Sequence, residues 1–186
     1  MYARFIKRIL DVTLGILLSV VLIPAFIIIS VIIVIDDGFP IIYKQERVGK
    51  DGKLFGIYKF RSMVKNADKI GPTSTASGDK RITKSGRILR KTSLDELPQV
   101  WNVVKGDMSF IGYRPGVFDE DTDLNAKKYR HRPGITGMAQ VNGRSSLNME
   151  QARSFENYYA DNVSFALDAK IFFKTFAVVL GGKNGN

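Results

Sequence analysis

Residues 12–35 read VTLGILLSVVLIPAFIIISVIIVI, and this run of 24 residues contains no charged side chain. A signal peptide has a shorter apolar core that ends in a cleavage site of small residues, and this run shows neither feature. The core helix of a soluble protein is not apolar on every face for about six turns. The run from Val12 to Ile35 therefore predicts insertion into a lipid bilayer.

Pro24 lies in the middle of this run and predicts a bend, because a proline removes one helical hydrogen bond and clashes with the preceding turn. Each half then has about 12 residues, or about 18 Å of helix, whereas the hydrocarbon core is about 30 Å thick. Two arrangements follow. A kinked helix could cross the bilayer. The hydrophobic periodicity alone favours this arrangement, because many spanning helices contain a proline. A re-entrant helix-break-helix could instead enter and leave by the same face.

Composition narrows the chemistry that the chain can perform. The 186 residues include no cysteine and one histidine, which excludes disulfides, thiolate zinc sites and sites built from several histidines. A bound metal would have to be held by oxygen atoms, which favours a hard ion such as magnesium. The net charge of +10 predicts an anionic partner. Nucleic acid, acidic lipid headgroups and a phosphorylated substrate all satisfy that charge.

The chain after the apolar run predicts an α/β fold that is mostly helical, with one small β-hairpin. Two β-rich segments, 41–48 and 54–61, flank the turn residues Asp51 and Gly52. Apolar residues at positions 97, 100, 101 and 104 keep helical spacing. Residues 165–180 are apolar and aromatic but carry charges, which suits an interfacial amphipathic helix or a buried C-terminal helix equally. The predicted organisation is a membrane segment over 1–36 and a second domain over 37–186.

Asp95 and Glu96 are the first candidates for chemistry. Ser93 and Glu96 have the spacing of a capping box, so both acidic residues could simply start a helix. The same position also suits catalysis, because a carboxylate beside backbone amides can bind magnesium near a phosphate. Asp95 could then attack phosphorus and form a phospho-aspartate.

The arginines form a second set of candidates. Arg114 and Arg132 each precede a proline in a glycine-rich turn, and the guanidinium fork suits bidentate contacts with phosphate. Lys59, near the end of the hairpin, could add positive charge. The sequence contains no P-loop, dinucleotide fingerprint or HExxH motif. The basic residues are not interleaved with aromatic ones, so nucleic acid is not expected as a partner.

Four segments together resemble the bacterial sugar transferase family, the monotopic phosphoglycosyl transferases that begin the assembly of cell-surface glycans. They are YKFRSM (58–63), SLDELPQ (93–99), NVVKGDMS (102–109) and RPGITG (132–137). The resemblance extends from about Lys7 to about Leu180. It implies transfer of a sugar 1-phosphate from a UDP-sugar to polyprenyl (undecaprenyl) phosphate, with release of UMP. It also implies Mg²⁺ as cofactor and a covalent phosphosugar-enzyme intermediate.

The resemblance assigns roles to individual residues. Asp95 corresponds to the nucleophile and a magnesium ligand, and its neighbour Glu96 to a residue that assists with the metal or the acceptor. Four basic residues correspond to contacts with the phosphates or the nucleotide: Lys59, Arg90, Arg114 and Arg132. The sequence departs from the family pattern at Tyr113, where a proline is frequent, and at Ile23, where a serine often precedes Pro24.

The implied substrate also bears on the membrane segment. UDP-sugars are cytosolic, so the resemblance places the catalytic domain on the cytoplasmic face of the bacterial inner membrane, beside Arg4, Lys7 and Arg8. A re-entrant segment broken at Pro24 satisfies that requirement and a straight span does not. Two other kinds of protein would also explain the net positive charge: a membrane-anchored scaffold that binds anionic lipid, and a membrane-tethered nucleic-acid binder. The identity of the sugar and the presence of a homo-oligomer stay open at this point.

Overall fold

We describe a computed structural model of the chain for residues 2–71, 78–119, 122–143 and 146–180. A π-helical turn, Tyr2–Ile6, leads into the first of eight α-helices in the described residues. The helices are α1 (Lys7–Val21), α2 (Ile23–Asp37), α3 (Ala67–Ile70), α4 (Lys84–Thr92), α5 (Gln99–Lys105), α6 (Met138–Val141), α7 (Met149–Asp161) and α8 (Phe165–Leu180). The strands are β1 (Ile42–Val48), β2 (Leu54–Phe60), β3 (Ser109–Ile111) and β4 (Gly134–Thr136). This composition confirms a mostly helical α/β fold.

The predicted break at Pro24 separates α1 from α2. The two helices are bent by 60° relative to each other, and Pro24 lies in the first turn of α2, where its missing N–H costs least. Within the described residues no single helix is long and apolar enough to cross a membrane. The bent pair meets that criterion jointly, by length and composition.

The beginning of α1 is attached to the rest of the domain by buried polar contacts. The Lys7 ammonium lies 2.6 Å from the Asp168 carboxylate on α8. The Arg8 guanidinium donates to the carbonyl oxygens of Val103 and Val104 at the end of α5, at 2.6 and 2.9 Å. These contacts give the carbonyls at a helix C-terminus a cationic partner.

The end of α2 is attached to the same domain. Asp37 forms an ion pair of 3.0 Å with Arg61, which follows β2. The Asp36 carboxylate accepts a hydrogen bond of 2.8 Å from the backbone N–H of Ser85, in the first turn of α4. Both ends of the bent pair are therefore held by one body, and the break at Pro24 lies between these two attachments.

The β-hairpin predicted from the Asp-Gly turn is confirmed. Strands β1 and β2 pair antiparallel, with Ile42 opposite Phe60 and Val48 opposite Leu54. The turn places Asp51 in the left-handed region, at φ 56°, a conformation that aspartate tolerates better than most residues. Strands β3 and β4 form a second, parallel pair that the sequence analysis did not predict.

Two apolar clusters attach the helices to these sheets. In the first, Ile29 and Ile33 of α2 pack with Phe60 of β2 and Leu89 of α4. This cluster places the membrane segment directly against the hairpin. In the second, Ile171 of α8 packs with three residues from β3, α6 and α7, namely Ile111, Val141 and Tyr159.

Helix α8 has features both of an interfacial amphipathic helix and of a buried C-terminal helix, the two alternatives that the sequence left open. Ile171 is buried in the second cluster, whereas Phe165, Phe173 and Phe176 on other faces are exposed. The helix is therefore amphipathic, with one face packed on the domain and with exposed phenylalanines that suit a membrane interface.

Candidate active site

Asp95 and Glu96 lie in a short 3-10 turn, Leu94–Glu96, between α4 and α5. The turn begins at Ser93, which closes α4 in the left-handed region at φ 59° and donates its N–H to the Arg90 carbonyl. The capping-box interpretation is wrong. The Ser93 side chain makes no capping hydrogen bond to any described residue, and α5 begins later, at Gln99. Ser93 ends one helix and does not start the next.

The Asp95 carboxyl group is buried, with 8 % of the residue exposed. Burial is the main reason that the pKa of Asp95 is raised to about 6, and the negative charge of the neighbouring Glu96 raises it further. Lys59 and Arg90 lower the pKa of Asp95, because each cation stabilises the carboxylate form. Asp95 is therefore ionised at pH 7, but as a poorly solvated carboxylate.

Glu96 has a different environment, because it is surrounded by cations. Its Oε1 accepts a hydrogen bond of 2.9 Å from the Lys59 ammonium, and the Arg114 guanidinium lies 3.7 Å from the same oxygen. Lys59 comes from β2, and Arg114 follows β3. The fold thus brings together two strands and the 3-10 turn at this point, and the two adjacent carboxylates face opposite electrostatic surroundings.

Arg47 is a residue of this cleft that the sequence analysis missed. It lies on β1 and lines the same cleft as Lys59, Glu96 and Arg114. Its Nε is buried and has no hydrogen-bond partner among the described residues. Burial lowers the pKa of Arg47, and the nearby Arg114 lowers it further. The guanidinium is partly buried, and its terminal nitrogens donate to the Gln45 side chain and the Pro115 carbonyl. A guanidinium fixed beside a second arginine gives this cleft the positive charge that attracts an anion.

The predicted hairpin contains a pattern that could have identified Arg47 as a residue of the site. Lys59 pairs with Tyr43 across the two strands, so these two side chains project from the same face. Strand alternation repeats every two residues, which places Arg47 on that face as well.

The structure brings most of the predicted site residues together, but not all of them. Glu96, Lys59 and Arg114 line one cleft, and Asp95 precedes Glu96 in the same 3-10 turn. Arg90, in the last turn of α4, is close enough to Asp95 to lower its pKa. Arg132 lies elsewhere. Its Nε donates to the Gly106 carbonyl at 2.7 Å, and its side chain lines a separate cavity beside the beginning of α1.

The donor set around Asp95 fits a magnesium ion that shares its coordination with a substrate. No group of three or more acidic or histidine side chains suited to a metal occurs among the described residues. Two carboxylates are nevertheless present side by side at Asp95 and Glu96. Magnesium is commonly held by one or two carboxylates together with substrate phosphates and waters. Asp95 and Glu96 are thus the residues that could hold it.

Comparisons with known proteins identify relatives along nearly the whole chain. The family model described as bacterial sugar transferase matches residues 2–182. The chain is 41 % identical over 201 residues to the undecaprenyl-phosphate galactose phosphotransferase of Salmonella typhimurium, covering 96 % of this chain and 41 % of that protein. It is 39 % identical to the UDP-N-acetylgalactosamine-undecaprenyl-phosphate N-acetylgalactosaminephosphotransferase of Aeromonas hydrophila, covering 96 % of this chain and 44 % of the relative.

A smaller relative matches along most of its own length. The chain is 39 % identical to the uncharacterized sugar transferase EpsL of Bacillus subtilis, covering 94 % of this chain and 87 % of that protein. The chain therefore spans less than half of the two relatives with named substrates, but most of EpsL.

Proposed function

This chain belongs to the bacterial sugar transferase family, and we propose that it transfers a sugar 1-phosphate from a UDP-sugar to polyprenyl phosphate and releases UMP. The buried Asp95 carboxylate beside the cationic cleft is the observation that carries this proposal. The names of the Salmonella and Aeromonas relatives, which specify undecaprenyl phosphate and galactose or N-acetylgalactosamine, support the class of substrate.

Two displacements at phosphorus describe the proposed reaction. In the first, an Asp95 carboxylate oxygen attacks the phosphorus that bears the sugar. The bond from that phosphorus to the bridging oxygen breaks, UMP leaves with the electron pair, and an aspartyl phosphosugar forms. In the second, an oxygen of polyprenyl phosphate attacks the same phosphorus, and the Asp95 carboxylate is released. The product is a polyprenyl diphosphate sugar.

The environment of Asp95 suits the first displacement. A carboxylate that has lost part of its hydration is a better nucleophile than one in bulk water, and a pKa of about 6 still leaves Asp95 ionised at neutral pH. Glu96 lies between Lys59 and Arg114. Its negative charge raises the energy of the Asp95 carboxylate, and its cationic partners are placed to attract the substrate.

The cations of the cleft are suited to bind the diphosphate. Arg47, Lys59 and Arg114 line one side of the cleft next to Glu96. The diphosphate and the transition state are both anionic, and phosphoryl transfer depends mainly on positioning and charge stabilisation. The cleft is small, with a volume of about 30 Å³. Most of a UDP-sugar would therefore lie outside it, beside the exposed Arg114.

Magnesium fits this site as a second source of positive charge, held by Asp95 and Glu96. When bound, the ion would neutralise charge on the diphosphate oxygens and favour the departure of UMP. Asp95 and Glu96 would orient it, and Lys59 would limit the repulsion between the two carboxylates.

We also propose that α1 and α2 form a re-entrant membrane segment and that the catalytic domain lies on the cytoplasmic face. The contacts of Lys7 with Asp168 and of Asp37 with Arg61 support this arrangement, because they attach both ends of the bent pair to one domain. A helix pair that crossed the bilayer would place its two ends about 30 Å or more apart.

The reaction is tested by measuring UMP release from a panel of UDP-sugars by the purified full chain with polyprenyl phosphate and MgCl₂. At least one sugar should give UMP, and chelation of magnesium should stop the release. Asp95→Asn should abolish it, whereas Asp161→Asn, which changes an exposed carboxylate on α7, should retain it. Normal turnover by Asp95→Asn would contradict the assigned nucleophile. Membrane binding without UMP release from any sugar would contradict the proposed function.

A further inference from the structure

A second, larger cavity lies beside the beginning of α1, away from the cleft lined by Lys59, Glu96 and Arg114. It has a volume of about 380 Å³, within the range of small-ligand sites. Residues of α1, the 50–52 turn and the 130–132 segment contribute charged side chains to its lining. Among the described residues it shares no lining residue with that cleft.

The lining of this cavity is strongly cationic. Five cationic side chains face a single carboxylate, that of Asp11: they are Lys7, Arg8, Lys50, Arg130 and Arg132. Three of the five are fixed by the fold. Lys7 pairs with Asp168, Arg8 donates to carbonyls of α5, and Arg132 donates through Nε to Gly106. Arg130 is exposed, and Lys50 pairs only loosely with Asp51, at 3.7 Å. The cavity therefore has both a rigid cationic wall and adaptable cationic side chains.

His131 lies within the electrostatic field of these cations. Its ring also lines the cavity, and its Nε2 lies 3.0 Å from the carbonyl oxygen of Ala160. Burial is the main cause that lowers the pKa of His131, and the positive charges of Lys50, Lys7 and Arg130 lower it further. The imidazole is therefore neutral at pH 7, when its Nε2 donates to Ala160.

Apolar residues on the same lining indicate where the ligand comes from. Ala3 and Phe5 contribute to the cavity, and Phe5 is 63 % exposed. Ile6, Ile9 and Leu10, in the next turn of the same segment, are exposed as well. This cluster of exposed apolar side chains leads directly into the predicted membrane helix, so the cavity opens beside a surface suited to lipid.

We propose that this cavity binds the phosphate group of an anionic membrane phospholipid. The phosphate would be held by Arg132, Arg8, Arg130 and Lys50, and the acyl chains would lie along the surface formed by Phe5 and Ile9. The site is separate from the transferase cleft, and phospholipid bound there would fix the depth of the domain at the bilayer surface. The proposal concerns binding only and does not depend on which sugar is transferred.

The test is a binding titration of the full chain in neutral detergent with dihexanoyl phosphatidylglycerol, at fixed ionic strength. The variant Lys50→Gln/Arg130→Gln removes the two adaptable cations. The control Lys53→Gln/Arg153→Gln removes two exposed cations outside the cavity, one of them near Lys50 in the same turn. Each cation near an anionic lipid contributes about 1 kcal/mol. We therefore expect the cavity variant to bind at least about tenfold more weakly, and the control to stay within about twofold of the unmodified protein.

The single histidine supplies a second measurement, by NMR titration of its ring proton. Bound phospholipid should raise the pKa of His131 towards its ordinary value, because a nearby anion stabilises the imidazolium. Dihexanoyl phosphatidylcholine, which has no net charge, should leave the pKa of His131 unchanged.

Three results would overturn the proposal. One is equal weakening of binding by the cavity variant and the control. Another is an unchanged His131 pKa at saturating phosphatidylglycerol. The third is equally tight binding of inorganic phosphate or of a short-chain prenyl phosphate in competition, which would assign the cavity to free phosphate or to the acceptor substrate.

Discussion

At the scale of single residues, the site depends on the contrast between two neighbouring carboxylates. Asp95 is buried with a raised pKa, whereas Glu96 is held between Lys59 and Arg114. The two side chains can therefore perform different tasks although they are adjacent in sequence. In the proposed mechanism, this separation of environments would allow Asp95 to act as the nucleophile while Glu96 organises the cations.

The buried charge of Asp95 should reduce stability. Its pKa is about 6 in the folded protein, against about 3.9 in an unfolded chain. The ionised group therefore destabilises the fold by about 3 kcal/mol above pH 6, and this cost disappears as the pH falls below about 4, where both states become protonated. Asp95→Asn should raise the apparent unfolding temperature at pH 7 by about 6–12 °C in metal-free buffer.

The pH dependence provides the control for that measurement. The stability difference between Asp95→Asn and the unmodified protein should decrease as the pH falls from 7 to 4. An Asp95→Asn variant that unfolds at a lower temperature at pH 7 would show that the ionised carboxylate stabilises the fold, contrary to its environment.

Arg114 should contribute to substrate binding more than to the fold. Its side chain is 52 % exposed, and its contact with Glu96 is long, at 3.7 Å. Arg114→Gln should therefore raise the KM for the UDP-sugar about tenfold or more, as expected for a charge-assisted contact with phosphate. Arg153→Gln, which removes an exposed arginine on α7, should leave KM unchanged. Equal KM values for both variants would exclude Arg114 from the binding site.

The sequence predicted part of this constellation and missed part of it. The family motifs identified Asp95, Glu96, Lys59 and Arg114. No local spacing rule could have joined them, because 37 positions separate Lys59 from Glu96. Arg47 was missed although hairpin alternation places it on the same face as Lys59. The position of Arg132 depends on how the chain packs around Gly106, which no sequence pattern reports.

At the scale of elements, the first helix depends on its contact with the last one. Asp168 of α8 accepts hydrogen bonds from Tyr2, Lys7 and Tyr159, at 2.6, 2.6 and 2.7 Å. A single buried carboxylate thus connects the N-terminal segment to α7 and α8. Removing one partner of a buried ion pair leaves the other charge without compensation, which is more costly than losing an exposed pair.

Asp168→Asn should therefore lower the free energy of unfolding by about 3 kcal/mol. The matched control is Asp161→Asn, which loses an exposed pair with Lys127 and should cost less than about 1 kcal/mol. Chemical denaturation in detergent measures both values. If the two variants had the same stability, the Lys7–Asp168 contact would not hold α1 against α8.

Local elements were predicted better than those formed by distant segments. The hairpin was found because its turn and both strands are contiguous in sequence. The parallel pair of β3 and β4 was not, because each strand has three residues and the two are far apart along the chain. The start of α5 was misplaced because Ser93 and Glu96 resemble a capping box, whereas the end of α4 determines the conformation of Ser93.

At the scale of the whole molecule, the attachments of α1 and α2 to one domain determine how the protein would sit in a membrane. The ion pairs at Lys7 and Asp37 hold both ends of the bent pair, and Ile33 packs the second helix against Phe60 and Leu89. In the proposed re-entrant arrangement, the break at Pro24 would enter the bilayer most deeply.

This arrangement predicts that both ends of the segment face the same compartment. The chain contains no cysteine, so single substitutions give clean labels. Arg4→Cys and Phe39→Cys, which lie just before α1 and just after α2, should react with a membrane-impermeant maleimide from the same side as the domain reference Lys53→Cys. Reaction of Arg4→Cys and Phe39→Cys from opposite sides would show a spanning helix.

The central claim is that Asp95 carries the sugar phosphate between the two substrates, and intact-protein mass spectrometry tests it most directly. The full chain is incubated with its UDP-sugar and MgCl₂ without polyprenyl phosphate. We expect a mass increase of one sugar phosphate, located on Asp95 by peptide mapping, absent from Asp95→Asn, and removed when polyprenyl phosphate is added. UMP release that requires both substrates together and leaves the protein mass unchanged would contradict the covalent mechanism.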